Sequence, residues 1–247
     1  MIPKIIHYCW FGGKPLPRSA RQCIASWRKY LPEYEIREWN ERNFDVNSIP
    51  YTREAYERGK YAFVSDYARF GILYEHGGLY FDTDVRVIRP LDDVIARGAF
   101  MGIEQDGEAV GVNPGLGLGA EPKMELYRAV LDHYAGLRFV DDRGVQTEGT
   151  VVKHTTDVLR RFGFKEENRE QQIAGICIYP NDWFNPLDDA TGRLTVTDNT
   201  YSIHLYSKTW VDNYGPLRSW FTRRLHRIFG VDSLQRLKRY IRKERLQ

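Results

Sequence analysis

Two carboxylates placed two residues apart, Asp82 and Asp84, follow directly on Gly77-Gly78-Leu79-Tyr80-Phe81, and this pairing is the chain's clearest opportunity for chemistry. Along a strand, residues i and i+2 project from one face, so both acids can reach one object; on a helix they would diverge by about 200°. Carboxylates held this close repel at neutral pH unless positive charge lies between them, and a hard divalent cation that also binds phosphate oxygens answers that need. An isolated Asp-x-Asp also reads as a solvated acidic turn. The Gly-Gly and aromatic lead-in favours a built site for metal and diphosphate. Upstream, Asp66 and Arg69 are three apart and share a helix face whose following turn feeds into the acid pair. They read either as an ion pair that braces the loop or as a site pair, with Arg69 meeting an anionic group and Asp66 a sugar hydroxyl. Further along, Gly111, Gly115, Gly117 and Gly119 crowd a ten-residue stretch. That density suggests close approach of a ligand to the backbone, with a bulged edge strand as the other reading.

Elements must position these groups, and the apolar spacing supplies them. Residues 3–10 form a continuous apolar run that ends in Phe11-Gly12-Gly13, which reads as a buried strand delivering a glycine loop. Ala20, Cys23, Ile24, Trp27 and Leu31 keep helical spacing before Pro32, and residues 34–39 then read as a strand. A β-α-β unit of this length favours parallel strands, with ligand near their C-terminal ends. Helical spacing returns over residues 61–76, with Ser65 as N-cap, Asp66 in the first turn and Gly77 as the stop. Residues 99–104, 173–179 and 195–206 read as strands, and 122–134 and 150–162 as helices. The fold class is therefore α/β.

Composition narrows the function classes. A chain of 247 residues with 42% hydrophobic content supports one sizeable core, and Trp 6, Tyr 16 and Phe 12 argue against disorder and suit stacking on a base or sugar ring. Cys9, Cys23 and Cys177 are odd in number and lack Cys-x-x-Cys spacing, so they suggest neither a disulfide framework nor a thiolate zinc site, but a reducing compartment. The N-terminal residues carry no secretory pattern and no long uncharged apolar run occurs, which gives the expectation of a cytoplasmic protein without a spanning helix. Net charge is +3, yet residues 216–247 hold ten Lys or Arg against Asp232 and Glu244, a net +8 that leaves the remainder at −5. An acidic body makes nucleic acid an unsuitable partner. In the basic segment Leu217, Trp220, Phe221, Leu225, Ile228 and Phe229, then Leu234, Leu237 and Ile241, fall at helical spacing. Two amphipathic helices follow from this, reading equally as a peripheral seat on anionic lipid at the inner membrane face or as helices packed on the body. The expected division is a catalytic domain over 1–215 and a basic helical appendage over 216–247.

Three motifs in order, Ile2-Pro3-Lys4-Ile5-Ile6-His7 with Trp10, Ser65-Asp66-Tyr67-Ala68-Arg69, and Gly77-Gly78-Leu79-Tyr80-Phe81-Asp82-Thr83-Asp84, resemble the glycosyltransferases of family 32, which include bacterial capsular-polysaccharide enzymes and the yeast initiating α-1,6-mannosyltransferase. The resemblance covers roughly the first 120 residues. It implies a GT-A fold with a mainly parallel nucleotide-binding sheet. It further implies transfer of a hexose, with retention, from a nucleotide sugar to a saccharide or lipid-linked saccharide, using Mn²⁺ or Mg²⁺. UDP-sugars are the first expectation and GDP-mannose the second. Carried over by residue, it places His7, Tyr8, Trp10 and Tyr80 at the nucleotide and Asp66 and Arg69 at the donor sugar and phosphate. It makes Asp84 a direct metal ligand, puts Asp82 at ribose and metal, matches the late metal-site histidine to His204, and adds Ser207 and Trp210 to the donor site. Related enzymes tend to have Ser and Trp adjacent here, whereas Lys208 and Thr209 separate these two. Asn113 and Gly115 are the candidates to meet an acceptor, Arg69 or Lys208 to assist the cation held by Asp84 and His204, and Asp66 or Glu104 to serve a covalent route. Two other classes stay open: a phosphatase of the haloacid-dehalogenase type, although Arg86 occupies the place where that family has a small or hydroxyl residue, and a non-catalytic, membrane-associated sugar-binding module.

Overall fold

A computed structural model describes residues 1–147 and 149–207 of the chain, so the expectations for Lys208, Trp210 and the basic segment 216–247 lie outside the described residues. The first strand, β1 (Ile5–Cys9), runs through helix α1 (Arg18–Tyr30) into β2 (Glu35–Trp39), and the two strands pair in parallel from Ile5 opposite Glu35 to Cys9 opposite Trp39. The helix forms because Ala20, Cys23, Ile24 and Trp27 make one buried stripe, while Arg28 and Lys29 complement the negative end of its dipole.

Helices α2 (Pro50–Glu57) and α3 (Tyr61–His76) come next, and α3 passes straight into β3 (Gly78–Tyr80), which pairs in parallel with β1. The passage depends on Gly77 and Gly78, whose φ angles are +62° and +98°. A Cβ on Gly78 would lie 2.6 Å from the carbonyl oxygen of Ile5, and one on Gly77 would lie 2.7 Å from Pro122 Cδ. Only glycine combines that backbone with that proximity. Gly77 is thus the expected helix stop, but Ser65 is not the N-cap: Lys60 holds that position, and Ser65 sits in the second turn with its hydroxyl on the Tyr61 carbonyl at 3.2 Å.

The chain continues through β4 (Val85–Val87), the short α4 (Asp92–Ile95), β5 (Phe100–Asp106), β6 (Ala109–Val112), β7 (Leu118–Ala120), α5 (Glu125–Ala135) and α6 (Val151–Arg161). It then forms β8 (Gln171–Ile173), β9 (Ile176–Tyr179), α7 (Asn181–Phe184) and β10 (Ser202–His204). The main sheet runs β2-β1-β3-β7-β5-β9-β8, with β6 added on β5. Its strands β2, β1, β3, β5 and β9 point one way and β7, β8 and β6 the other, so the sheet is mixed with a parallel majority, as the α/β reading expects. Helices cover both faces, with α3 and α5 over a core that includes Phe70, Tyr127 and Tyr134, and α1 over one built on Trp27, Phe81 and Phe100. Two expected strands shorten: 173–179 is a β8–β9 hairpin turned at Ala174-Gly175, both at positive φ, and of 195–206 only β10 pairs, antiparallel to β4. Among the described residues no helix is long and apolar enough to cross a membrane.

Candidate active site

The parallel strands β1, β2 and β3 share one C-terminal edge, the edge at which open α/β sheets bind ligands, and the acid pair lies there. Asp82 and Asp84 stand on a turn beyond β3 and not on the strand itself, because the Val85 amide closes on the Asp82 carbonyl at 3.0 Å. They belong to two separate networks joined by that turn.

The first network centres on Arg69, which is only 3% exposed. Its Nη2 donates to Asp66 Oδ1 at 2.9 Å and lies 3.3 Å from Asp82 Oδ1, its Nε donates to the Ser65 carbonyl at 3.0 Å, and its guanidinium covers the Tyr80 ring at 5.0 Å. Tyr80 hydroxyl in turn donates to Asp82 Oδ1 at 3.1 Å. Burial works against the charge on Arg69, yet Asp82, Tyr80 and Asp66 hold it ionised more firmly than an ordinary arginine. Burial pushes the Asp66 carboxyl up to about 7 against the pull of Arg69, and it also raises Asp82, with Asp84 adding to the rise.

The second network holds Asp84. His204 Nε2 lies 3.1 Å from its Oδ1, and both the amide and the hydroxyl of Ser207 donate to its Oδ2 at 2.9 Å. Strand β10 delivers these partners by pairing His204 with Val85, and the Leu205 amide reaches the Asp84 carbonyl at 3.0 Å. Burial opposes ionisation of Asp84, but His204 and Ser207 together keep it well below the usual carboxylate range. Burial lowers His204 and Asp84 more than restores it, so its pKa is raised. The other ring nitrogen, Nδ1, is buried without a hydrogen-bond partner among the described residues. Tyr206 packs edge-on to this imidazole at 4.3 Å with φ of +50°, a conformation that costs a non-glycine residue about 1–3 kcal/mol, and its hydroxyl is anchored on Asn185 at 3.0 Å.

The sequence brings Asp66, Arg69, Asp82, Asp84, His204 and Ser207 together, but three other expected residues turn inward. His7 is fully buried, with Nε2 on the Gly77 carbonyl at 3.0 Å and Nδ1 accepting from Trp39 Nε1 at 3.0 Å, so neither ring nitrogen is open to a nucleotide. Tyr8 is buried edge-on to Trp27 with its hydroxyl on Glu38 at 2.7 Å, and Tyr80 is spent on Arg69 and Asp82. Trp10, half-buried where β1 leaves the sheet, keeps an accessible surface at the ligand edge. Asn113 and Gly115 border the acid turn: Asn113 Oδ1 accepts the Gly115 amide at 2.7 Å, and the Asp82 amide reaches the Gly115 carbonyl at 3.3 Å. The crowded glycines serve the chain's own packing, since a Cβ on Gly115 would fall 2.2 Å from Asp82 Oδ2 and one on Gly119 would fall 2.3 Å from Phe100. Sequence reasoning missed Tyr206 and Asn185. Tyr206 was open to notice as a neighbour of His204 and Ser207, whereas Asn185 carries no local signal.

Residues 17–101, which contain both Arg69 and the acid pair, match the family described as the glycosyltransferase sugar-binding region containing a DXD motif. Over 106 residues the chain is 35% identical to an uncharacterized glycosyltransferase of Acanthamoeba polyphaga mimivirus, covering 40% of this chain and 42% of the viral protein. Over 98 residues it is 33% identical to inositol phosphoceramide mannosyltransferase 3 of Schizosaccharomyces pombe, covering 38% and 27%. The match thus spans less than half the length of these relatives. Among solved structures it is similar to the PaToxG glycosyltransferase, with a TM-score of 0.49 at 18% identity over 65% of this chain and 69% of that one. It is also similar to a glycosyltransferase involved in glycosylation of the major capsid of PBCV-1, with a TM-score of 0.47 at 11% identity over 84% and 95%. The GT-A class expected for this sugar-binding region accords with the sheet: β2-β1-β3 in parallel, with the DXD turn leaving the end of β3.

A DXD region raises the question of a divalent cation. Among the described residues no three His, Cys, Asp or Glu side chains stand as a ready ligand set; Asp84 and His204 are bonded to each other, and Asp82 is engaged by Arg69 and Tyr80. The donor chemistry nevertheless fits: two hard carboxylates, one strongly ionised, with an imidazole nitrogen, His204 Nε2, beside them.

Proposed function

We propose that the protein is a metal-dependent retaining glycosyltransferase that moves a hexose from a nucleotide sugar to a saccharide or lipid-linked saccharide. The observation that carries this reading is the buried Arg69 clamped between Asp66 and Asp82, one turn away from an Asp84 held ionised by His204 and Ser207. Mn²⁺ or Mg²⁺ bound by Asp82, Asp84 and His204 would supply positive charge to the departing diphosphate. Arg69 adds a fixed cation on the other side of the DXD turn and needs no reorganisation, being locked by Ser65, Asp66 and Tyr80. Asp66 accepts a hydroxyl of the donor sugar, and Trp10 offers its exposed face to the base at the end of β1. As the bond from the anomeric carbon to the phosphate oxygen breaks, the acceptor oxygen attacks from the same face and its proton passes to the leaving phosphate oxygen, which yields retention without a separate base. UDP-hexose is the first donor in this reading and GDP-mannose the second. The mannosyltransferase among the relatives keeps the second in play. A cytoplasmic setting, at the inner membrane face, belongs to the same proposal and is supported by three buried free thiols, Cys9, Cys23 and Cys177.

The phosphatase reading loses ground because Asp82, its would-be nucleophile, is tied to Arg69 and Tyr80, while Arg86 points outward from β4. Incubation with UDP-glucose, UDP-galactose and GDP-mannose, with Mn²⁺ or with chelator, tests the proposal by chromatography of released nucleoside diphosphate. We expect slow, Mn²⁺-dependent donor hydrolysis, reduced by about 10²-fold or more in Asp84→Ala. Release that ignores both chelator and Asp84→Ala would remove the metal from the account, and no release or binding from any donor would remove the transferase.

A further inference from the structure

The β5–β6 hairpin and helix α6 enclose an open cleft of about 240 Å³. The hairpin lies directly on the helix: the Val112 amide donates to Thr156 Oγ1 at 2.9 Å, and a Cβ on Gly111 would fall 2.8 Å from Val152 Cγ1. Two cations line the cleft, and both are already paired, Lys153 with Asp157 at 2.6 Å and Arg160 with Glu166 at 2.6 Å. Glu104 and Asp106 remain as the excess charge of the lining. An anionic ligand is therefore repelled, and no aromatic side chain lines the cleft to hold an apolar one. Hydrogen-bonding carboxylates and Thr156 suit a neutral molecule rich in hydroxyl groups.

A short chain of bonds leads from this cleft to the DXD turn. Asn113 Nδ2 donates to the Glu104 carboxylate, Asn113 Oδ1 accepts the Gly115 amide at 2.7 Å, and the Gly115 carbonyl accepts the Asp82 amide at 3.3 Å. Glu104 is thus at once a wall of the cleft and, through two residues, a neighbour of Asp82. We propose that the cleft is the acceptor subsite, that it takes a neutral saccharide or polyol, and that Glu104 accepts a hydrogen bond from the hydroxyl nearest the DXD turn. The role of acceptor rests on the transferase reading; the binding of a polyol does not.

Saturation-transfer NMR with methyl α-mannopyranoside and with myo-inositol at millimolar concentration tests this. The expected result is transfer from wild-type protein to at least one probe, loss of that signal in Ala109→Trp, which fills the cleft from the exposed end of β6, and weakening in the isosteric Glu104→Gln. Absence of signal from both probes on wild-type protein overturns the proposal, as does an undiminished signal in Ala109→Trp and Glu104→Gln at unchanged melting temperature. Should Ala109→Trp fail to fold, Glu104→Gln alone decides. A polyol signal from a protein that binds no nucleotide sugar would sink the transferase reading and leave the cleft standing.

Discussion

Ser207 shows how much a single side chain contributes when it acts through another. Its amide and hydroxyl both serve Asp84 Oδ2, so the hydroxyl fixes a carboxylate. Partners that orient a metal-binding carboxylate are commonly worth 10- to 100-fold in metal affinity. Ser207→Ala keeps the amide bond and loses the hydroxyl bond, and its expected effect is a rise of about tenfold in the Mn²⁺ concentration that half-saturates donor hydrolysis, with the saturated rate nearly preserved. A Mn²⁺ titration checks this, and an unshifted midpoint would show that Ser207 has another task. At this scale much of the site was legible in the sequence, since acid spacing and order of motifs pick out Asp66, Arg69, Asp82 and Asp84, and the family resemblance adds His204. What the sequence hid was direction. The alternation of β1 says that His7 and Tyr8 face opposite sides of the sheet, but only the neighbours Trp39, Gly77 and Glu38 reveal that both side chains are consumed inside it.

Elements position the site through one tight junction, the passage from α3 to β3. Gly78 has φ of +98° and leaves no room for a Cβ beside the Ile5 carbonyl, so a methyl there must push β3 away from β1. Gly78→Ala should cost about 2 kcal/mol or more and lower the melting temperature by several degrees. Donor hydrolysis should fall further than the loss of folded protein accounts for, because the DXD turn moves with β3. Thermal denaturation beside activity per folded molecule tests the pair, and a variant with wild-type melting behaviour would show that the junction relaxes freely. The periodic helices were readable for a simple reason: a stripe such as Ala20, Cys23, Ile24 and Trp27 repeats its message every turn. Short pieces were not. Strand β9 and the three-residue β10 are set by pairing partners far away in sequence, β5 and β4, and no local spacing announces them.

For the whole molecule, buried His7 links folding to proton concentration. Burial lowers its pKa from 6.5 to about 4, with the Gly77 hydrogen bond opposing, so the folded state excludes a proton that the unfolded chain accepts. A depressed histidine contributes stability that is present above its unfolded pKa and is lost as pH falls through the window from 6.5 to about 4. Between about pH 7 and pH 5 this one group should remove about 2 kcal/mol. His7→Gln can keep both hydrogen bonds without titrating, and its urea midpoint should therefore fall less than the wild-type midpoint over that interval. Equal falls would mean that His7 takes up its proton in the fold as readily as in the unfolded chain. The α/β class and the parallel edge were foreseeable from the β-α-β opening; the three reversed strands were not, because direction depends on loops whose composition does not encode it.

The two halves of the DXD turn mature at different moments of synthesis. Arg69, Asp66 and Tyr80 precede Asp82 in the chain, so its grip is available once the first third has been made, whereas Asp84 waits for His204 and Ser207. A nascent chain that has not yet produced β10 lacks the side chains that hold the second acid. In this molecule the last described strand acts as the latch on Asp84.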